Sequence, residues 1–268
     1  LHFGAVDYKT IVWFNDEKVG EHEGGYLPFD LDVTRFSHEG TNTITLKVED
    51  GLKLFPEVPH GKQSWYGPIS GIWQSVYIEA CPTLFIKTVK VTPIENQVRV
   101  KVELNRQLES NELLRYEILA PNGEDVFFMD SSSVEENIPV AHPLLWDLDT
   151  PNLYTARISI NLPEEDIREQ KFGFRSIKTM DGKILLNEKP IYLRAALDQD
   201  YYPDLVYTPP SLEFIEDQFR KAKEMGLNCL RIHIKVGDPR YYEVADRFGM
   251  LIWTELPCWQ ILTEESSQ

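Results

Sequence analysis

The 268-residue chain has few cysteines, few basic residues and no long apolar run, and each shortage excludes a class of protein. Cys81, Cys229 and Cys258 lie far apart and form no Cys-x-x-Cys or Cys/His spacing, so neither a disulfide framework nor a metal site is expected. No apolar run approaches the ~20 residues of a membrane span. The formal net charge of −16 argues against nucleic acid or an anionic membrane as partner.

The sequence contains no signal peptide and does not begin with Met, and its first residue, Leu1, stands inside a strand-like segment. We therefore expect the natural amino terminus to be missing, and the sequence indicates no compartment. No cofactor motif is present either, so no cofactor is expected.

Short strands with turn signals fill residues 1–175. Period-two alternation at Thr43–Val48 is typical of a half-buried strand, and residues 1–81 as a whole predict a β-sandwich or jelly roll. Residues 82–175 predict an immunoglobulin-like sandwich. Its predicted strands are Phe85–Thr92, Gln97–Leu104, Leu113–Leu119, Glu124–Met129 and Tyr154–Ile160.

Residues 176–268 alternate apolar runs with helical patterns, which predicts the opening of a parallel α/β unit. The helix signals are Ser211 and Asp238 as N-caps, Pro239 at a first helical position, and Gly226 and Gly249 just past the ends. The predicted strands, expected to be covered on both faces, are Ile191–Leu197, Leu227–Ile234 and Met250–Thr254.

Polar residues stand at or near the ends of these three runs. Asp198 follows the first, Arg231 and His233 lie in the second, and Glu255 follows the third. Charged side chains in buried strands line a cavity or pair with each other, and chemistry gathers where such strands end. A structural interpretation also fits: Arg231 and Glu255 as an internal ion pair, His233 as a core histidine, Asp198 as a turn cap.

Five segments in order resemble glycoside hydrolase family 2, the group of β-galactosidases, β-glucuronidases and β-mannosidases. They are Glu23–Phe29, Asn42–Ile44, Ser70–Val76, Trp146–Tyr154 and Phe172–Arg175. Arg194–Tyr202 and Arg231–Lys235 are similar to runs of one subgroup. Two positions depart from the family pattern: Ala195 replaces a usual glycine, and His233 stands one residue nearer to Arg231 than the family's histidine does.

The resemblance implies three domains: a jelly-roll galactose-binding-like domain at 1–81, an immunoglobulin-like β-sandwich at 82–175, and the first three strands of a (β/α)8 TIM barrel at 176–268. It implies retaining hydrolysis of terminal β-glycosidic bonds, a carbohydrate substrate bound by Asp198, Arg231, His233 and Glu255, and a homo-oligomer as one possible state. Residues 176–268 are roughly a third of the ~250 residues of a whole barrel. The acid/base and nucleophile glutamates are therefore expected beyond Gln268, and the chain as given is expected to be inactive.

In this family the acid/base glutamate follows an asparagine. The chain has two such pairs, Asn111-Glu112 and Asn187-Glu188, but both lie outside the barrel strand that should carry it, and we interpret them as solvated turns. An alternative function is a non-catalytic carbohydrate-binding module that uses the first sandwich; another is a structural spacer. The α/β segment at 175–268 favours the enzyme over a binding module, which does not need it, whereas absence of sugar binding would favour the spacer.

Overall fold

β-Strands form most of the regular secondary structure, with few helices, in the computed structural model, which describes residues 1–51, 61, 63–160, 166–257 and 264. Two compact units are present. Unit 1 comprises residues 1–79, 195–244 and 252–268, and unit 2 comprises residues 80–194 and 245–251. The domain boundaries at 81/82 and 175/176 stay predictions, and Cys258 lies outside the described residues. Within these residues no helix is long and apolar enough to cross a membrane.

Residues 1–79 of unit 1 form short antiparallel sheets. The strands are β1 (His2–Phe3), β2 (Val6–Asp7), β3 (Lys9–Phe14), β4 (Glu17–Glu23), β5 (Phe29–Asp30), β6 (Ile44–Glu49), β7 (Gly71–Ile72) and β8 (Val76–Tyr77), with a 3₁₀ turn at Thr34–Phe36 and helix α1 (Gln63–Tyr66). The sheet orders are β5-β1-β8, β2-β7 and β4-β3-β6. Alternate residues of β3, including Val12 and Phe14, enter a core with Phe3, Val6 and Val33, as period-two patterning requires.

Unit 2 contains two antiparallel sheets, of orders β13-β10-β9 and β12-β11-β14-β15. The strands are β9 (Ile86–Ile94), β10 (Gln97–Leu104), β11 (Leu114–Leu119), β12 (Asp125–Ser131), β13 (Glu135–Pro139), β14 (Tyr154–Ile160) and β15 (Ile167–Phe172). Each of the five strands predicted here is confirmed to within two residues, whereas β13 and β15 were not predicted. Buried residues of both sheets, such as Val100 and Ile158, share one apolar core, consistent with an immunoglobulin-like sandwich.

A three-stranded antiparallel sheet follows in unit 2, made of β16 (Ile177–Met180), β17 (Lys183–Leu186) and β18 (Lys189–Ile191). This corrects the prediction of one strand over Ile191–Leu197. Asn187 and Glu188 adopt positive φ angles of 51° and 63°, which make a tight hairpin turn and pair Ile191 with Ile184. The remainder of the predicted run starts a separate strand in unit 1.

That strand opens the α/β part of the chain. Its elements are β19 (Ala195–Asp198), α2 (Leu212–Glu224), β20 (Cys229–Ile232), α3 (Pro239–Phe248) and β21 (Leu251–Thr254). The sheet order is β19-β20-β21, and β19 pairs with β20 in parallel, as predicted. Gly226 and Gly249 have φ of +80° and +63°, which confirms the two glycine stops.

The burial of these three strands differs from the prediction that both of their faces are covered. β20 is buried, but Leu197 of β19 is 51% exposed and Trp253 of β21 is 56% exposed. The expectation of strands covered on both faces is therefore wrong for β19 and β21. Their outer side chains lack a packing layer among the described residues.

Ser211 is expected to stabilise α2 by capping it. Its hydroxyl accepts a hydrogen bond from the backbone N–H of Phe214. Ser211→Ala should lower the free energy of unfolding by ~1 kcal/mol, whereas Ser211→Gly should cost only a few tenths of a kcal/mol. Urea unfolding followed by far-UV circular dichroism measures both, and equal losses for the two variants would contradict the capping role.

Candidate functional site

Arg231 of β20 and Glu255, just after β21, form an ion pair. Arg231 Nε donates to Glu255 Oε1 at 2.6 Å, and Nη2 contacts the same oxygen. The backbone N–H of Ile234 donates to Oε2 at 3.1 Å. Burial raises the pKa of Glu255, but the bonds from Arg231 and Ile234 outweigh it, so the pKa lies below its usual value. Glu255 is therefore a carboxylate with both oxygens engaged.

His233 lies beside this pair. Its Nε2 is 3.9 Å from Glu255 Oε2, and its Nδ1 is 3.3 Å from Gln199 Oε1. An amide oxygen can only accept, so the tautomer with its proton on Nδ1 donates to Gln199, and Nε2 faces Glu255. Gln199 was not selected from the sequence, although it stands next to Asp198 at a strand end and lies in the segment Arg194–Tyr202 that is similar to a run of one subgroup.

Asp198 ends β19 and faces protein donors. The Tyr241 hydroxyl donates to its Oδ2 at 2.7 Å, and the backbone N–H of Asp200 donates to Oδ1 at 2.7 Å. Its own carbonyl accepts from the His233 backbone N–H at 3.0 Å. The structure thus brings Arg231, His233 and Glu255 into one cluster, with Asp198 alongside it.

A buried ion pair between Lys235 and Asp200 lies next to the cluster and was also missed. Lys235 Nζ is 2.7 Å from Asp200 Oδ2 and donates to the carbonyls of Asp200 and Tyr207 at 2.7 and 2.9 Å. Burial raises the pKa of Asp200 and lowers that of Lys235, and the opposite charge of the partner counters both shifts. The sequence offers two hints: Lys235 continues the alternation of Arg231 and His233, and it ends the segment Arg231–Lys235 that is similar to a run of one subgroup.

Three aromatic rings surround the Lys235 ammonium. The distances from Nζ to the ring centroids are 4.1 Å for Tyr207, 5.4 Å for Trp73 and 5.5 Å for Tyr201. Such cation–π contacts stabilise a desolvated ammonium. Since Trp73 belongs to residues 1–79 and Lys235 to residues 195–244, the contact between them joins two distant chain segments of unit 1.

Asp7 is a second buried acid in unit 1, only 3% exposed. The Gln63 amide donates to its Oδ2 at 2.5 Å, and the Gln63 oxygen accepts from the Ile69 N–H at 3.0 Å. Burial and the nearby negative charge of Asp50 raise the pKa of Asp7 to about 7, against the lowering effect of the Gln63 bond. Asp7 is therefore partly protonated at neutral pH.

The two Asn-Glu pairs lie in unit 2. Glu188 is exposed and pairs with Lys178 at 2.5 Å, in line with a solvated turn. Glu112 corrects the expectation, because it is buried and accepts from Arg106 at 2.7 and 2.6 Å and from the Glu109 N–H at 2.8 Å. These bonds lower the pKa of Glu112 to about 2, so Glu112 is ionised at neutral pH and has a structural role in this turn.

No group of three or more His, Cys, Asp or Glu in the described parts of the chain could hold a metal ion.

Two family models match consecutive parts of the chain. The model of the glycosyl hydrolases family 2 sugar binding domain matches residues 1–82, and the model of glycosyl hydrolases family 2 matches residues 83–175. The chain belongs to glycosyl hydrolase family 2. This family 2 chain is similar to a putative β-glucuronidase of Formosa agariphila, with 30% identity over 96% of this chain and 32% of the relative.

A β-galactosidase of Thermoanaerobacterium thermosulfurigenes is 26% identical over 98% of the family 2 chain and 39% of the relative. A solved structure of the β-glucuronidase from Ruminococcus gnavus in complex with D-glucuronic acid shares the fold, with a TM-score of 0.82 and 24% identity over 99% of this chain and 48% of that one. The family 2 chain thus spans about a third of the length of these curated relatives, which are glycosidases by name.

Proposed function

We propose that this chain is part of a retaining β-glycosidase that hydrolyses terminal β-glycosidic bonds, and that residues 176–268 begin its (β/α)8 barrel. One observation carries the proposal: Arg231, His233 and Glu255 meet at or just beyond the ends of neighbouring strands β20 and β21. The parallel β19–α2–β20 crossover is the repeating unit of such a barrel. Polar groups at these ends are where a barrel enzyme binds its substrate.

Within the cluster, Glu255 offers a fixed negative charge and Arg231 offers donors. The contacts of Arg231 to Glu255 use Nε and Nη2, which leaves Nη1 for a sugar hydroxyl. Charged groups make short, directional hydrogen bonds to hydroxyls. Asp198 is held by Tyr241 and Asp200, so we propose that it supports the cluster while the other three residues contact the sugar.

The chemistry itself requires two carboxyl groups about 5–5.5 Å apart, one as acid/base and one as nucleophile. We propose that residues following Gln268 supply both. The support is that this chain covers only 32% and 39% of two curated glycosidase relatives. The sequence also lacks an Asn-Glu pair at the end of any predicted barrel strand.

Exposed apolar side chains support the proposal that further barrel strands follow β21. Leu197, Trp253 and Leu256 are 51%, 56% and 77% exposed at the outer strands and just after β21. Apolar surface on adjoining elements is normally covered by further structure. We propose that later barrel strands cover it; a homo-oligomer stays a prediction.

The proposal is tested on the full-length protein with aryl β-D-glucuronide and aryl β-D-galactoside, the sugars in the names of its relatives. We expect one of them to be cleaved, with the β-anomer as the first product seen by NMR. Glu255→Gln should lower kcat/KM about 10–100-fold, because a charged hydrogen bond contributes about 1.5–3 kcal/mol. Glu188→Gln, at an exposed turn, is the matched control and should have no effect.

An α-anomer as first product would disprove the retaining mechanism. Equal activity of the Glu255 and Glu188 variants would disprove the assignment of Glu255 to the sugar site.

A carbohydrate-binding module is the second candidate, because the sugar binding domain model matches residues 1–82. Trp65, exposed on helix α1, could stack on a sugar ring. Calorimetric titration of the full-length protein with the two free sugars tests this function. Binding that survives Glu255→Gln and is lost in Trp65→Ala would favour the module, and absence of binding by any variant would favour a spacer.

A further inference from the structure

The short segment from His233 to Lys235 is strained. Ile234 has φ of +49°, in the left-handed region that a β-branched residue rarely adopts. Such a conformation persists only where surrounding contacts enforce it. Two contacts do so here: the Ile234 N–H donates to Glu255, and the next side chain, Lys235, is anchored in the interior.

The anchor combines two hydrogen bonds with an ion pair. Lys235 Nζ donates to the carbonyls of Asp200 and Tyr207, and it lies 2.7 Å from the Asp200 carboxylate oxygen Oδ2. Asp200 in turn accepts from the Tyr202 hydroxyl at 2.5 Å and donates its N–H to Asp198. Lys235 therefore fixes both its own segment and the loop that follows β19.

Gln199 lies between the two anchored residues of that loop. Asp198 is held by Tyr241 and by the backbone of His233, and Asp200 is held by Lys235. The Gln199 side chain consequently meets His233 Nδ1 at 3.3 Å. The orientation of the His233 ring thus depends on two segments, and the same buried ion pair fixes both.

We propose that Lys235 and Asp200 are positioning residues that set the orientation of His233 and Gln199 toward the sugar. This inference rests on the proposed function of the Arg231–His233–Glu255 cluster. Neither residue touches the substrate. Each acts through the backbone and through His233, which distinguishes them from binding residues.

The test uses the full-length protein and two matched double variants. K235M/D200N removes both buried charges while nearly preserving volume, which a fold tolerates better than loss of one partner. K221M/D217N removes an exposed ion pair, 2.5 Å long, on α2. We expect K235M/D200N to lower kcat/KM about 10²-fold, the effect of a displacement of about 1 Å at a site, while K221M/D217N stays at the wild-type value.

Two further measurements separate positioning from general stability. Histidine-selective ¹⁵N NMR, assigned with a His233→Gln variant, should show altered His233 ring signals in K235M/D200N and unchanged ones in K221M/D217N. Tyr202→Phe removes only one donor to Asp200 and should lower kcat/KM about 3–10-fold, in line with the loss of one hydrogen bond. This variant keeps the test valid if the double variant fails to fold.

Wild-type kcat/KM and wild-type His233 signals in K235M/D200N, or in Tyr202→Phe if the double variant does not fold, would overturn the inference. If the wild-type protein cleaves no β-glycoside, the proposed function fails. The His233 signals then decide the positioning role by themselves.

Discussion

Lys235→Met is expected to lower the free energy of unfolding by about 3–5 kcal/mol at pH 7, the cost of leaving one partner of a buried ion pair alone. Asp200 would retain a buried carboxylate without its counter-charge, and the carbonyls of Asp200 and Tyr207 would lose their donor. Urea unfolding followed by tryptophan fluorescence measures the loss. Because Asp200 can escape the penalty by taking up a proton, the loss should shrink as the pH falls.

K235M/D200N is the control for this prediction. With both charges gone, the remaining groups are close in volume and neutral, so most of the stability should return. A double variant as unstable as Lys235→Met would show that packing of the lysine stem among Trp73, Tyr201 and Tyr207, and not the ion pair, explains the loss.

Asp7→Asn is expected to stabilise the protein at alkaline pH by up to about 4 kcal/mol, since the folded pKa of about 7 exceeds the ordinary value of 3.8 by about three units. A raised pKa in an acid means that the folded state holds its proton more tightly than the unfolded state. The wild type therefore loses stability as the pH rises from about 4 to about 7. The amide carries no charge and still accepts the bond from Gln63.

The measurement is the difference in unfolding free energy between Asp7→Asn and wild type at pH values from 4 to 8. The difference should be near zero at pH 4 and largest at pH 8. Asp50→Asn, which removes the neighbouring charge, should reduce the pH dependence of the wild-type protein. A difference that does not change with pH would show that Asp7 does not titrate in this range.

Local signals in the sequence were sufficient for the helices of the α/β segment. Ser211 caps α2, and Gly226 and Gly249 adopt the positive φ angles expected of helix stops. These features depend on neighbours within a few residues, so the sequence carries them directly. Alternating strands such as β10 and β14 were also predictable, because one of their faces is buried.

The hairpin at β17–β18 was not predictable from apolar content. Its turn uses Asn187 and Glu188, and only asparagine is a common residue at positive φ. The run Ile191–Leu197 reads as one strand because nothing in its composition marks the break. Only the pairing of Ile191 with Ile184 separates the two halves.

The sequence was sufficient to select the charged residues of the candidate site but not the residues that hold them in place. Arg231, His233 and Glu255 could be selected because charge is unusual in buried strands, and the structure brings all three together around the Glu255 carboxylate. Gln199 and the Lys235–Asp200 pair could not be selected in the same way. Lysine is usually exposed, and only the fold brings Asp200 and Trp73 to it.

The chain order of unit 1 has a consequence for biosynthesis. Trp73 emerges from the ribosome long before its partners Tyr207 and Lys235, because Tyr207 follows Trp73 by 134 residues along the chain. At about 5–20 residues per second, the wait for Tyr207 is roughly 7–27 s. During that interval Trp73 lacks its ring partner Tyr207, so we expect chaperones that bind early translation products to protect this amino-terminal segment.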